Sequence, residues 1–453
     1  MKSKTRNVTA LLSTFGLFVL SGTAMATNGY FTHGVGTESK GMAGTGIGSN
    51  AANGPIITAS NPALSVFASD SWEAGISIFS PMRDYKASSS LAGGQVINGV
   101  PTFTVGQGSF SSSSEWFPIP YVAKNWRFSN DNVLAVAFYG RGGMNTDWDN
   151  SNASATSLAC DPTGTAPQTG PGPFCAGDAG VDLSQAFLAV NYAGKVGDNF
   201  SWGIGPVFAV QVFEATGVGS FAGFTKTFAE CFVLGPPGSC DPRPTSLSDN
   251  GHDTSTGVGF SGGLWWSMGD AVSAGLAYQS KIGMSEFDDY ADLFAEAGGF
   301  DIPASAKLGF SFLGMQGARF NFDIEHTQFS ETDSVGNPMI NLVSCPTAGL
   351  GGSDFESCLG GKNGGGFGWD DMTTYKLGME WAGDNNTMWR FGYSYGEQPI
   401  QEEDVLFNIL APGVMEQHFT FGVTRSRSNG GAWNLSIMYA PESTVKGVSL
   451  FDP

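Results

Sequence analysis

Short polar turns and long loops alternate along this chain between aromatic-rich segments of about ten residues, and all six cysteines fall in the long loops. In an antiparallel meander every second connection returns to the same side, so this parity gives the molecule two unequal faces. One face collects the short turns at 129–131, 194–199, 268–270, 314–317, 383–386 and 426–431. The other collects the loops at 81–115, 142–180, 214–253, 283–300, 330–370 and 397–414. The pattern predicts an all-β fold, a transmembrane antiparallel β-barrel with its long loops on the cell surface. A soluble sandwich or propeller has no reason to keep such asymmetry throughout.

The first residues address the compartment. Lys2, Lys4 and Arg6 form a basic start, 8–20 is mostly apolar, and Ala24-Met25-Ala26 is an A-x-A cleavage site. Residues 1–26 therefore read as a signal peptide, with Thr27 as the first mature residue. Beyond it no stretch approaches the roughly 20 apolar residues that a spanning helix needs. Entry into a membrane then requires a closed barrel, which pairs every backbone polar group, and the predicted location is the outer membrane of a Gram-negative bacterium.

Period-two alternation predicts thirteen strands, near 71–80, 115–128, 132–141, 181–193, 199–212, 254–267, 271–282, 301–313, 318–329, 371–382, 386–396, 414–425 and 431–440. In the last, Trp433, Leu435, Ile437 and Tyr439 share one face while Asn434 and Ser436 take the other. Residues 319–328 put Phe320, Phe322 and Ile324 toward lipid and Asn321, Asp323 and Glu325 toward the lumen. Trp116, Trp126, Trp265, Trp266, Trp381 and Trp389 suit interfacial girdles. Single-chain bacterial barrels have even strand numbers, so thirteen is one short; the tail after Tyr439 shows no alternating run.

Charge and cysteine usage narrow the partners. Without the signal, 18 Lys and Arg face 41 Asp and Glu, a net charge of −23, which argues against nucleic acid or anionic lipid surfaces. Acidic loops beside lipopolysaccharide and outer-membrane lipid are expected, on a monomer. In an exported chain the six cysteines imply bridges, and pairing within loops (Cys160 with Cys175, Cys231 with Cys240, Cys345 with Cys358) is the arrangement that needs no loop-to-loop contact. With no C-x-x-C and four scattered histidines, no metal site or cofactor is implied. No H-E-x-x-H occurs and the histidines, serines and aspartates are too scattered to select a catalytic triple, so an enzyme is not expected.

Residues 27–70 carry eight glycines between Gly29 and Gly54 and then Asn61-Pro62-Ala63, too irregular for a strand and too long for a simple leader. Here the chain resembles the FadL family of outer-membrane transporters for hydrophobic compounds. Those proteins begin with a small hatch carrying a glycine-rich stretch, like Lys40-Gly41-Met42-Ala43-Gly44-Thr45-Gly46, followed by an NPA motif directly before the first barrel strand. The resemblance implies a barrel of about 14 strands over 71–453, blocked by a hatch over 27–70 in which Thr27, Gly41, Gly44, Gly46, Asn61, Pro62 and Ala63 are gating positions. It implies passive uptake of long-chain fatty acids, aromatic hydrocarbons or other hydrophobic compounds. A general porin for small polar solutes is the alternative.

Two outer loops bear apolar residues at helical spacing. Phe221, Phe224, Phe228 and Phe232 recur at i, i+3, i+7 and i+11, and Phe287, Tyr290, Phe294 and Ala297 nearly so after an N-cap at Ser285. Large aromatics in loops demand burial against something, either each other or a ligand. The family resemblance favours a capture groove, because its members receive substrate between the third and fourth outer loops. Lys307 and Arg390 alternate with lipid-facing neighbours, which places both in the lumen as candidates for a carboxylate head group or as partners of Glu325, Asp323 or Glu380.

Overall fold

The computed structural model describes residues 27–451 apart from 52–53, 91–95, 98–99, 150–152, 158–159, 161–165, 237–239 and 429; the expected signal peptide lies outside the described residues. Thirteen long strands form one antiparallel meander: β1 Trp72–Phe79, β2 Phe117–Arg127, β3 Asn132–Trp148, β4 Ala179–Val196, β5 Phe200–Thr216, β6 Asp253–Ser267, β7 Val272–Gln279, β8 Ser305–Leu313, β9 Arg319–Thr327, β10 Met372–Gly383, β11 Thr387–Gly396, β12 Gln417–Ser426 and β13 Ala432–Tyr439. Each pairs with the next in sequence, from β1 with β2 to β12 with β13. With an odd number of antiparallel strands, β1 and β13 run in the same sense, and the described residues show no pairing between them.

Alternation decides what each strand face meets. On β13, Trp433, Leu435 and Ile437 are each at least 60 % exposed, as are Ile76 and Ile78 of β1. Exposed apolar rows on every outward face are untenable in water and mark the lipid band. Among the described residues no helix is long and apolar enough to cross a membrane, so the strands do the crossing. β3 to β5 run past their predicted ends, with Trp148 paired to Ala179 and Gly180 to Thr216. They lift the outer loops above the rim, where further short strands pair, such as Asp84–Ala87 with Gly108–Ser111.

One interruption in the wall matters for the lumen. The β3–β4 register shifts between Gly140 and Gly142, leaving Arg141 as the extra residue of a β-bulge, with its side chain buried. Gly142 bridges Phe31 of the N-terminal segment, and a Cβ there would lie 2.0 Å from Gln185 Oε1.

That N-terminal segment fills the lumen. It comprises a hairpin of Thr27–Asn28 with Phe31–Thr32, the short helix α1 Thr37–Lys40, and 3₁₀ turns Pro55–Ala59 and Pro62–Val66. Its backbone rests directly on strand glycines. A Cβ at Gly203 would lie 2.5 Å from Pro62 C, one at Gly275 1.9 Å from Ile47 O, and one at Gly392 2.3 Å from Met42 C. Only glycine permits that approach, which gives a physical reason for glycine on luminal strand positions. Wall side chains then bond the segment's backbone. Asp323 accepts from Gly46 N (2.8 Å) and Ile47 N (3.1 Å), Thr420 accepts from Ala43 N (2.8 Å), and Trp265 and Ser273 donate to Gly48 O. Trp265, read from sequence as an interfacial ring, is 1 % exposed: of two adjacent tryptophans only one can face lipid, and the other found a backbone acceptor.

Above the rim the loops share one apolar core with disulfides inside them. The bridges are Cys160–Cys175, Cys231–Cys240 and Cys345–Cys358, each within a single loop. Residues 440–451 climb onto this core instead of forming a strand: the rings of Phe451 and Phe224 lie 5.1 Å apart, and Phe103 N donates to Phe451 O.

Candidate functional site

The aromatic residues singled out in the third and fourth outer loops fold differently from the predicted pair of helices. Thr225 is extended (φ −81°, ψ 153°) and its hydroxyl accepts from Phe228 N at 3.2 Å. It therefore ends the 3₁₀ turn Gly219–Phe224 and caps a new helix, α2 Lys226–Leu234. The stripe is split at that cap. Phe221 turns inward, 5.3 Å from Phe407 and 5.7 Å from Phe103, while Phe228 and Phe232 stack at 5.7 Å on the outer side of α2. Phe232 is 70 % exposed and Leu234 67 %, so α2 offers an open apolar face; Phe224 is half-buried between Phe221 and Phe451.

The second stripe is not a helix. Ser285 continues the pairing with β6, donating its N–H to Thr256 O and accepting from Thr256 N, so it caps nothing. Only the 3₁₀ turn Asp288–Tyr290 follows Phe287, and Glu296 and Ala297 adopt left-handed angles (φ 55° and 58°) that end helical continuation. Phe287, Tyr290 and Phe294 ring Phe213 at 5.5, 4.9 and 4.7 Å and are all buried. They are the loop core. The two loops touch through polar contacts: Thr227 Oγ1 donates to Asp292 Oδ1 at 2.5 Å, Ser246 N to Asp292 Oδ2 and Asn250 Nδ2 to Asp289 O.

Below this core the lumen holds a cluster of basic groups around one acid. Lys307 lies opposite Glu325 in the β8–β9 register, and its Nζ is 3.0 Å from Glu325 Oε1. Lys376 Nζ reaches Glu325 Oε2 at 2.6 Å and donates to His33 O of the N-terminal segment, and Arg141 lies 3.6 Å from the same carboxylate. Arg141 also donates to Gln279 and Ser305 and stacks 4.4 Å over Phe31. Three cations thus share one carboxylate beside a cavity of ≈ 20 Å³ lined by Thr58, Pro62, Tyr139, Arg141, Gln279 and Lys307.

Arg390 sits elsewhere and is neutralised. Its Nε is 3.3 Å from Glu380, its Nη2 is 3.8 Å from Glu38 on α1, and Nη1 donates to Thr424. Two carboxylates already face it, so it does not join the Lys307 cluster. Sequence reasoning missed Arg141 and Lys376. Lys376 was findable, since Tyr375 and Leu377 flank it as apolar residues flank Lys307; Arg141 was not, because a bulge breaks the alternation that assigns faces.

The segment's other marked positions hold it in its seat. Asn61 is fully buried; its Oδ1 accepts from Ala63 N, its Nδ2 donates to Ile47 O and Leu264 O, and Ala63 O accepts from Ser201. Pro62 fixes the first residue of that turn. Thr27 pairs with Thr32 in the hairpin, Gly41 lies against Gly422, and Gly44 (φ 81°) and Gly46 (φ 121°) take angles that favour glycine.

Comparison with known proteins places this architecture. The Pseudomonas putida toluene transporter TodX superposes with a TM-score of 0.56 at 15% identity, covering 91% of this chain and 94% of that one. A Pseudomonas aeruginosa FadL homologue gives 0.53 at 16% identity, covering 91% and 90%. The CymD monoaromatic hydrocarbon channel gives 0.50 at 16% identity, covering 92% and 94%. These likenesses carry the fold. No curated protein sequence matches significantly. The model of the family described as outer membrane protein transport protein (OMPP1/FadL/TodX) matches residues 17–424, so this chain belongs to that outer-membrane family of β-barrel channels for hydrophobic compounds.

Proposed function

We propose that the chain passively takes up long-chain fatty acids or hydrocarbons through a barrel gated by residues 27–70 acting as a hatch. A hydrophobic molecule leaves water on the open face of α2 at Phe228 and Phe232, crosses the loop core, and enters the lumen beside Lys307, Lys376 and Arg141. The observation that carries the reading is the seat of the N-terminal segment. It is held by individual hydrogen bonds to wall side chains such as Asp323 and Thr420, which water can replace on opening. The excess of cations over carboxylates at Glu325 supports an anionic head group, whereas TodX and CymD are described as acting on toluene and monoaromatic hydrocarbons. Each barrel carries its own hatch and capture face, so the monomer, ringed by lipopolysaccharide, is the working unit.

Uptake by intact cells tests this. Cells displaying the chain should accumulate labelled oleate or toluene faster than control cells at low external concentration, with arabinose uptake unchanged. Faster arabinose entry without faster oleate or toluene entry would support the general porin instead.

A further inference from the structure

A second basic position lies on the other side of the N-terminal hairpin from the Lys307 cluster. Just beyond β1, Arg83 lines a cavity of ≈ 20 Å³ together with Thr27, Tyr30, Phe79, Asn145 and Trp369. Its Nη1 is buried and meets no acceptor, and among the described residues it forms no ion pair. The guanidinium stands 6.0 Å over the Phe117 ring. Four cations of the barrel wall differ: Arg141, Lys307, Lys376 and Arg390 each have a carboxylate within 4.0 Å. Burial pulls the Arg83 guanidinium down to about 9, which leaves it charged at neutral pH. Arg83 as a whole is half-buried, but a guanidinium nitrogen buried without an acceptor is costly unless an external group supplies one.

We propose that Arg83 forms a carboxylate-binding site, for the head group of a small apolar acid, in this cavity. The guanidinium supplies donors in a fixed fork suited to a carboxylate, and the rings of Tyr30, Phe79 and Trp369 supply apolar walls. The free room is that of about one water, so the head group enters and the body it is attached to stays outside. Tyr30 and Phe31 are adjacent rings of the hairpin, 4.6 Å apart; Tyr30 faces the Arg83 cavity and Phe31 lies under Arg141. The hairpin therefore divides two cation sites, an outer one at Arg83 and an inner one at Arg141. Binding at Arg83 does not rest on the transport reading: loss of hydrocarbon uptake would overturn the channel proposal and leave this one standing.

The test is titration calorimetry on the refolded full chain with benzoate and with methyl benzoate, its neutral ester. The unmodified protein should bind benzoate at least tenfold more tightly than the ester. Arg83→Gln should remove most of that preference, and Arg83→Lys should keep most of it. Heat-modifiable gel migration reports whether each variant is folded, and the acid-versus-ester comparison on unmodified protein decides the matter even if Arg83→Gln does not fold. Equal affinity for acid and ester, or benzoate binding unaltered in folded Arg83→Gln, would overturn the site.

Discussion

The outer loops and the lumen are both filled, but in different proportions of apolar and polar contact. Above the rim, Phe213, Phe287, Tyr290, Phe294 and Phe300 pack ring on ring, and the Cys345–Cys358 bridge lies fully buried with Ala229 and Ala348. In the lumen the N-terminal segment adds Tyr30 and Phe31 to the edge of that core and packs Leu64 near Trp265. Between these points it meets the wall through glycines and single hydrogen bonds, and several buried polar atoms, including Asn28 Nδ2 and Oδ1 and His33 Nδ1, meet no protein partner among the described residues. Opening an apolar core exposes area that water does not compensate, at about 25 cal/mol per Å². Opening a hydrogen-bonded seat exchanges protein for water partners at a net of about 1 kcal/mol per bond. On the proposed reading, the loops stay assembled while the segment is the part that moves.

The largest expected effect lies in the loop core. Phe294→Ala removes a buried ring that contacts Phe213, Phe287 and Phe300, and should cost the loops about 3–5 kcal/mol. Limited proteolysis should cut the fourth loop while the barrel keeps its folded gel band; loops as resistant as those of the unmodified protein would mean that the rings are not a shared core. Next comes the seat. Asp323→Ala strips the acceptor from Gly46 N and Ile47 N and leaves two buried N–H groups unpaired, at a cost of about 1–3 kcal/mol each. The segment should become protease-sensitive and single-barrel conductance should rise, with loop digestion unchanged.

Smaller effects separate capture from core. Phe228→Ala on the open face of α2 should weaken uptake at low oleate concentration by about 2 kcal/mol of apparent affinity, without loosening the loops. If it loosens them instead, α2 belongs to the core. The smallest is a pH effect on the seat. Burial holds His33 well below the ordinary imidazole range, and its neighbours His418, Lys40 and Lys376 disfavour its proton further. Undocked, His33 takes a proton near 6.5, so docking is unaffected above that pH and weakens progressively below it. Conductance should rise between pH 7 and pH 5, less so in His33→Gln; a flat profile would remove His33 from the seat's energetics.

Strands and loop parity were legible because lipid enforces period-two alternation over long segments, and the thirteen strands fall close to their expected places. Lys307 could be placed facing the lumen from its neighbours alone, but its closeness to Arg141 could not, since the bulge at Gly140 and Gly142 shifts the face. The Phe221–Phe232 spacing looked helical across a residue, Thr225, whose hydroxyl competes for the backbone and starts a new helix. The spacing from Phe287 to Ala297 misled for another reason. Its three rings are set by Phe213, a contact from a different strand that no local period encodes. Luminal glycines gave no signal of their own until the segment lying on them was in view.

The central claim, that residues 27–70 must move for a hydrophobic molecule to pass, is tested most directly by tying the segment to the wall. Ala43 N donates to the Thr420 hydroxyl at 2.8 Å, which puts the two residues side by side across the segment and β12. Cysteines at both positions can be tied by a short, reducible thiol cross-linker. Oleate uptake by cells displaying the cross-linked Ala43→Cys, Thr420→Cys protein should fall to the level of cells without it and return on mild reduction, while the unmodified protein under the same reduction keeps its rate. Undiminished uptake by the fully bridged protein would contradict the account.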